Sequence, residues 1–251
     1  MTDAEEPRRR ERAGSFGRAA GVYERARPGY PDDAVDWLVP ADARRAVDLG
    51  AGTGKLTRAL VARGLDVTAV EPLAGMRAEL TAALPGVPAL DGTAEAIPLP
   101  DASAHLVTVA QAWHWVDEAR ALPEVARVLR PGGALVLVWN VRDEGVDWVR
   151  ALSEIVDPSE GELRLRRAVE IGPPFGPTEP FLTSWEREMD VELLLELVAS
   201  RSGVITAEPA RREAILAAVR ELAATHPDLA GRTTFPMPYR TGCFRARTPV
   251  A

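Results

Sequence analysis

From about residue 44 onward, short apolar runs alternate with longer stretches in which apolar residues recur every three or four positions. The first pattern marks strands buried on both faces and the second marks amphipathic helices, so the chain predicts βα units around a parallel sheet. Ala46 to Leu49 reads as the first strand, Gly50 to Gly54 as a glycine-rich turn, and Leu56, Leu60 and Val61 as one face of a helix that stops at Gly64. Val67 to Val70 is the second strand, ending at Glu71-Pro72, and Met76, Leu80 and Leu84 face the core from a second helix. Val87 to Leu90 and Leu106 to Ala110 are the third and fourth strands, with Trp115 to Arg130 as the next helix. Pro131-Gly132-Gly133 breaks that helix and leads into Ala134 to Trp139, a fifth strand apolar on both faces.

Beyond Asn140 the pattern loosens. Trp148 to Val156 has helical spacing, and residues 157–180 are rich in proline and glycine, as in an insertion or lid. Val191 to Ser200 and Arg211 to Ala224 are further helices, and Phe235 to Ala246 has the composition of a last strand. With no internal repeat and no linker, residues 1–251 form one domain: a tail over 1–15, a lid or helix over 16–43, a core over 44–141, and an insertion with carboxyl-terminal strands and helices over 142–251.

Composition narrows the function. A chain of 251 residues, 46% hydrophobic, buries a full core without staples. One cysteine, Cys243, and three histidines exclude an internal disulfide and a zinc site at the usual spacing, so no metal is expected. The net charge of −7 counts against nucleic acid and anionic membranes as partners, and the Arg8 to Arg12 cluster reads as a solvated tail. No apolar run approaches the roughly 20 residues of a membrane helix, and no secretory signal opens the chain; the expected location is cytoplasmic.

The first βα turn, Asp48-Leu49-Gly50-Ala51-Gly52-Thr53-Gly54, carries the chemistry. In a doubly wound sheet a ligand binds where strand order reverses, and three glycines let the backbone approach it closely. A dinucleotide fingerprint would need glycine at Lys55 or at Thr57, which disfavours an NAD(P)-dependent oxidoreductase. A phosphate-binding loop would need glycine at Leu49 and a hydroxyl at Leu56. There remain Asp48 entering a small-residue turn and Glu71 ending the second strand, a position from which a carboxylate accepts both hydroxyls of a ribose.

Four motifs in order, Val47 to Gly54, Glu71-Pro72, Gly92 to Asp101 and Val128 to Gly133, resemble those of class I S-adenosylmethionine-dependent methyltransferases. Tyr23 to Pro31, Gln111 to Trp115, Val198 to Ser202 and Pro238 to Thr241 are similar to a narrower group, the small-molecule methyltransferases related to trans-aconitate methyltransferase. The resemblance implies an α/β fold: a doubly wound, Rossmann-like sheet of seven strands, mostly parallel with the last antiparallel, flanked by helices. It implies S-adenosylmethionine as cofactor, S-adenosylhomocysteine as product and a small-molecule acceptor, a carboxylate or secondary metabolite. A cofactor-assisted cyclisation or rearrangement without net methyl transfer is the alternative.

The resemblance also implies residue roles. Asp48, Gly50, Ala51, Gly52, Thr53 and Gly54 lie at the methionine part of the cofactor, Glu71 and Pro72 at the ribose, and Thr93, Ala94 and Glu95 at the adenine edge, with Met76 on the adenine face. Many relatives carry Asp where this chain has Thr93. Ala110 and Gln111 stand nearest the transferred methyl group, and Arg25 or Arg27 pairs with a carboxylate of cofactor or substrate. Tyr30 and Trp113 offer aromatic faces to the sulfonium, and His114 suits a general base. Trp139, Asn140, Phe175 and Trp185 border the acceptor space.

Overall fold

The computed structural model describes residues 25–156 and 169–250. The expected tail over 1–15, the lid up to residue 24 and residues 157–168 of the expected insertion lie outside the described residues. Helix α1 (Asp32–Leu38) leads to β1 (Arg45–Leu49), α2 (Lys55–Ala62), β2 (Asp66–Val70), α3 (Ala74–Ala83), β3 (Ala89–Leu90) and β4 (Ala104–Ala110). A 3₁₀ turn over Trp113–Trp115 precedes α4 (Glu118–Val128) and β5 (Leu129–Arg142). Then come α5 (Asp147–Ile155), β6 (Glu179–Met189), α6 (Val191–Ala199), α7 (Ser202–Ile205), α8 (Pro209–Thr225) and β7 (Phe235–Arg247).

The strands form one sheet in the order β3-β2-β1-β4-β5-β7-β6. Pairing is parallel from β3 through β5, and β7 runs antiparallel to both β5 and β6. This is the seven-stranded sheet with an antiparallel last strand that the resemblance implied. Strand order reverses between β1 and β4, so their carboxyl ends flank the crevice where ligands bind in such folds.

Alternation along β5 assigns its two faces. Ala134, Val136 and Val138 pack with Val35 and Leu38 of α1 and Leu56 and Leu60 of α2, whereas Leu135, Leu137 and Trp139 pack with Val125 and Val128 of α4. A third cluster joins α5, α6, α7 and α8 to Met189, Phe235, Met237 and Tyr239, beyond the carboxyl ends of the parallel strands, and takes in Ala26. It roofs the crevice.

Some boundaries differ from the pattern for physical reasons. Val61 is 39% exposed, since it sits about 100° around the helix from buried Leu60. Leu84 caps α3 and is only half-buried. The helix expected over Trp115 to Arg130 is shorter, because Trp113–Trp115 closes a separate 3₁₀ turn and Leu129 already pairs with Ala104. Strand β6 falls partly in the stretch read as insertion and has no apolar run. Its residues alternate exposed with half-buried, as suits an edge strand.

Candidate active site

The turn after β1 uses its three glycines for different purposes. Gly50 and Ala51 both donate backbone N–H groups to Val70 O, at 2.8 and 3.2 Å, which hangs the turn on the end of β2. Gly50 has φ +67°, and a Cβ there would lie 2.8 Å from Ala112 Cβ. Gly54, at φ +88° where α2 begins, faces Leu80, whose Cγ would be 3.0 Å from an added Cβ. Gly52, at φ +57°, would meet nothing within 4 Å. Open space therefore surrounds its side-chain position, and residues 50–53 of the turn line a cavity.

Two carboxylates hold this turn. Asp48 is 1% exposed, with Oδ2 accepting from Thr57 Oγ1 at 2.6 Å and Oδ1 from Thr108 Oγ1 at 3.0 Å. Burial pushes its pKa up to about 6 against the pull of those hydroxyls. Glu71, 5% exposed, accepts from the Gly52 N–H at Oε2 and from the Leu73 N–H at Oε1, both at 2.9 Å. Burial raises its pKa above the usual carboxylate range, while the two backbone donors and nearby Arg77 oppose the rise. Each oxygen keeps a further lone pair; Glu71 is bonded to the lining residue Gly52 and is not itself among the residues that line the cavity.

Across the cavity, β4 ends at Ala110 and hands over to Gln111, a non-glycine residue at φ +58°. A side chain in the left-handed region costs free energy and is kept only where its surroundings fix it. Here Gln111 N donates to Val138 O at 2.8 Å and its Nε2 to Asn140 O at 3.0 Å. Asn140 in turn donates from Nδ2 to Gly29 O at 2.7 Å and accepts at Oδ1 from Thr241 Oγ1 at 2.6 Å, while Trp185 Nε1 donates to that hydroxyl oxygen at 2.8 Å.

The segment around Gly29 is strapped over the crevice. Arg187 donates to Ala26 O at 2.6 Å and Arg25 O at 2.8 Å, and Arg27 donates to Ser200 Oγ at 3.0 Å and Ser200 O at 3.1 Å. The cavity beneath brings together Arg27 and Tyr30 from the strap, Asp48 and the glycine turn, Ala110 and Gln111 from β4, and Asn140 from β5.

The other residues singled out in the sequence stand apart from this cavity. Arg25 is exposed and pairs with Glu196 at 3.0 Å. Met76 is 3% exposed, Pro72 and Thr93 are exposed, and Ala94 packs in the cluster under the sheet. Glu95 Oε1 accepts from the Asp117 N–H at 2.8 Å just ahead of α4. Trp113 is 2% exposed within the same cluster as Ala94, and the His114 ring lies 4.8 Å from that of Trp115. Trp139 is fully buried, Phe175 belongs to the cluster with it, and Trp185 stacks on Tyr239 at 5.1 Å. Lys55, Arg142, Leu197, Val198, Arg201 and Tyr239 also line the cavity. Sequence reasoning missed Arg142, Leu197, Val198, Arg201 and Tyr239 as site residues because they come from strand ends and a roof distant in the chain, whereas Lys55 directly follows the glycine turn and in the sequence counts only against a dinucleotide fingerprint. The signal present was the resemblance around Val198 to Ser202 and Pro238 to Thr241.

Among the described residues, no group of three or more His, Cys, Asp or Glu side chains could hold a metal ion, and no helix is long and apolar enough to cross a membrane.

Comparison with known proteins agrees with this geometry. A family model described as a methyltransferase domain matches residues 47–137. An uncharacterized methyltransferase of Mycobacterium tuberculosis is 55% identical over 238 residues, 95% of this chain and 97% of the relative. An uncharacterized methyltransferase of Schizosaccharomyces pombe is 35% identical over 214 residues, 82% of this chain and 85% of the relative. A solved structure from Anaeromyxobacter dehalogenans, assigned as a type II methyltransferase, shares the fold with a TM-score of 0.64 at 24% identity, covering 89% of this chain and 97% of that one. The chain belongs to the class I S-adenosylmethionine-dependent methyltransferases.

Proposed function

We propose that this enzyme transfers the methyl group of S-adenosylmethionine to a small molecule bound between the glycine turn and the helical roof. The observation that carries the reading is the pairing of Gly52 with Glu71 beside a cavity into which Gly52 projects no side chain. The cofactor fits that arrangement: the open side of Gly52 leaves room for its backbone, and Glu71 has lone pairs for a ribose diol. In this reading Asp48 and residues 50–54 hold the methionine part, Pro72, Met76 and Thr93 to Glu95 border the nucleoside, and Ala110 and Gln111 flank the methyl group. Of the two arginines expected to pair with a carboxylate, Arg27 takes the role, since it lines the cavity while Arg25 pairs with Glu196 outside it.

When bound, the cofactor supplies an activated methyl group on a sulfonium. The protein's own contribution is alignment and exclusion of water, through the strap over residues 25–31 and the rigid seat of Gln111. Tyr30, which lines the cavity, offers its ring to a cation. Trp113, buried in the core, supports the floor beneath. His114 does not line the cavity and takes no part in the transfer in this reading.

Calorimetric titration with S-adenosylmethionine, S-adenosylhomocysteine and NADH tests the reading. One-to-one binding of both sulfur nucleotides, lost in Glu71→Ala, supports it. Binding of neither by folded protein free of nucleotide overturns it. Formation of S-adenosylhomocysteine during turnover separates methyl transfer from a cyclisation that leaves the cofactor unchanged.

A further inference from the structure

Strand β3 is only two residues long and meets β2 through two pairs, Ala69 with Ala89 and Val70 with Leu90. So short an edge strand holds little by its own ladder, and the chain leaving β2 and β3 gains from a second tie. Arg77 supplies it. It stands one turn into α3, and helical side chains lean toward the amino terminus, so its guanidinium points back at the strand end from which the helix starts. Nη1 donates to Glu71 O at 2.6 Å and Nη2 to Asp91 Oδ2 at 3.1 Å. One planar fork thus grips a carbonyl just past β2 and a carboxylate just past β3.

The carbonyl so held belongs to the acid of the site. Glu71 gives its N–H to Leu90 O at 3.0 Å, its carbonyl to Arg77, and its two carboxylate oxygens to the N–H groups of Gly52 and Leu73, so each of its polar groups is placed. Charge acts on it from three elements. Arg77 of α3 favours the ionised carboxylate, whereas Asp91 past β3 and Asp48 of β1 oppose it. Arg77 also draws Asp91 into an ion pair, which blunts the repulsion from that side. Its side chain is 20% exposed, so solvent screens it less than it would a surface arginine.

On the reading given under Proposed function, we infer that Arg77 is a positioning residue for cofactor binding, setting the backbone and the charge of Glu71, the acid which that reading assigns to the ribose. The ionised carboxylate is the form that accepts from two hydroxyls, so loss of the guanidinium weakens binding most where Glu71 is partly protonated. A residue that served only to tie β2 to β3 would lower affinity evenly across pH.

The test reads Glu71 in unliganded protein, by carbon NMR of labelled glutamate carboxyls across pH, with Glu71→Gln identifying its signal. In Arg77→Gln the Glu71 midpoint moves up by at least about half a pH unit, and Arg77→Lys, which keeps the cation without the fork, reverses most of that shift. Arg77→Met keeps the aliphatic stem and serves if Arg77→Gln does not fold. Calorimetry with S-adenosylhomocysteine over the same pH range shows affinity at least fivefold lower in the uncharged variant, and the pH at which affinity begins to fall moves up with the Glu71 midpoint. A midpoint that stays in place, a shift that Arg77→Lys does not reduce, or affinity within twofold of the wild type at every pH overturns the inference. If the wild type binds no S-adenosylhomocysteine, the cofactor reading fails separately, and the midpoints in the unliganded proteins decide by the same criteria whether Arg77 governs Glu71.

Discussion

The backbone N–H of Gly52 donates to Oε2 of Glu71 at 2.9 Å, so the acid ending β2 is locked to the turn following β1 before any ligand arrives. Preorganisation of this kind spares binding the cost of ordering the carboxylate. Two hydrogen bonds from ribose hydroxyls to a charged acceptor are worth about 1.5–3 kcal/mol each, so Glu71→Ala lowers S-adenosylhomocysteine affinity at least 100-fold. Because burial raises the Glu71 pKa, wild-type affinity falls as pH is lowered, and the fall begins at a higher pH than it would for an ordinary glutamate, since protonation removes an acceptor. Glu71→Gln flattens that dependence. Calorimetry across pH on both proteins checks it.

The three turn glycines separate stability from binding. At Gly50 an added methyl meets Ala112 Cβ at 2.8 Å in addition to adopting φ +67°. Strain and overpacking together cost about 2–4 kcal/mol, seen as a lower urea midpoint for Gly50→Ala. At Gly52 there is no collision, so Gly52→Ala costs only about 1–2 kcal/mol of conformational strain. Its methyl group takes up open space at a residue that lines the cavity, and S-adenosylhomocysteine binding falls far more than stability does.

Asp48 makes stability depend on pH. Its pKa is raised from 3.8 to about 6 on folding, so the native state holds its proton more tightly than the unfolded chain. The resulting stabilisation is complete below about pH 4, is lost as pH rises toward 6, and is absent above that, a swing of about 3 kcal/mol. Asp48→Asn lacks the swing. Urea unfolding of the unliganded proteins at pH 4 and pH 7 therefore shows the variant gaining on the wild type by roughly that amount.

Much of this architecture was legible because βα units write themselves locally. A run such as Ala134 to Trp139, apolar at every position, belongs only in a strand covered on both faces, and the turn over residues 48–54 announces its ligand by what it lacks. Strand β6 was not legible, since Phe181, Trp185 and Met189 alternate with charged and small residues on a sheet edge, and an edge needs only one partner. Arg142 and Tyr239 escaped notice for a related reason. Their pairing depends on an antiparallel register between segments about a hundred residues apart, which no local pattern encodes. Trp113 and His114 carry the converse lesson, for proximity in sequence to the end of β4 does not bring them into the cavity.

That lesson yields a contrast between neighbours. Trp113, 2% exposed in the core, loses about 3–5 kcal/mol of stability in Trp113→Ala, whereas Trp113→Phe keeps most of the packing and retains cofactor binding. His114→Ala retains S-adenosylhomocysteine affinity within threefold. Once an acceptor is in hand, its kcat/KM and pH profile follow the wild type. A hundredfold loss together with disappearance of a pH limb near the histidine range would instead make His114 the base.

Asn140 ties the strap to the sheet. Its Nδ2 holds Gly29 O at 2.7 Å, its Oδ1 takes the Thr241 hydroxyl at 2.6 Å, and its carbonyl anchors the Gln111 amide at 3.0 Å. Asn140→Ala removes the first two bonds while leaving the third, which belongs to the backbone, so Gln111 keeps its seat. The cost to stability is about 1–3 kcal/mol, since Thr241 is fully buried and its hydroxyl loses an acceptor. The larger effect falls on the strap, where Arg187 and Arg27 remain as its anchors. S-adenosylhomocysteine dissociates faster, with little change in its association rate, because the strap acts after the ligand has entered.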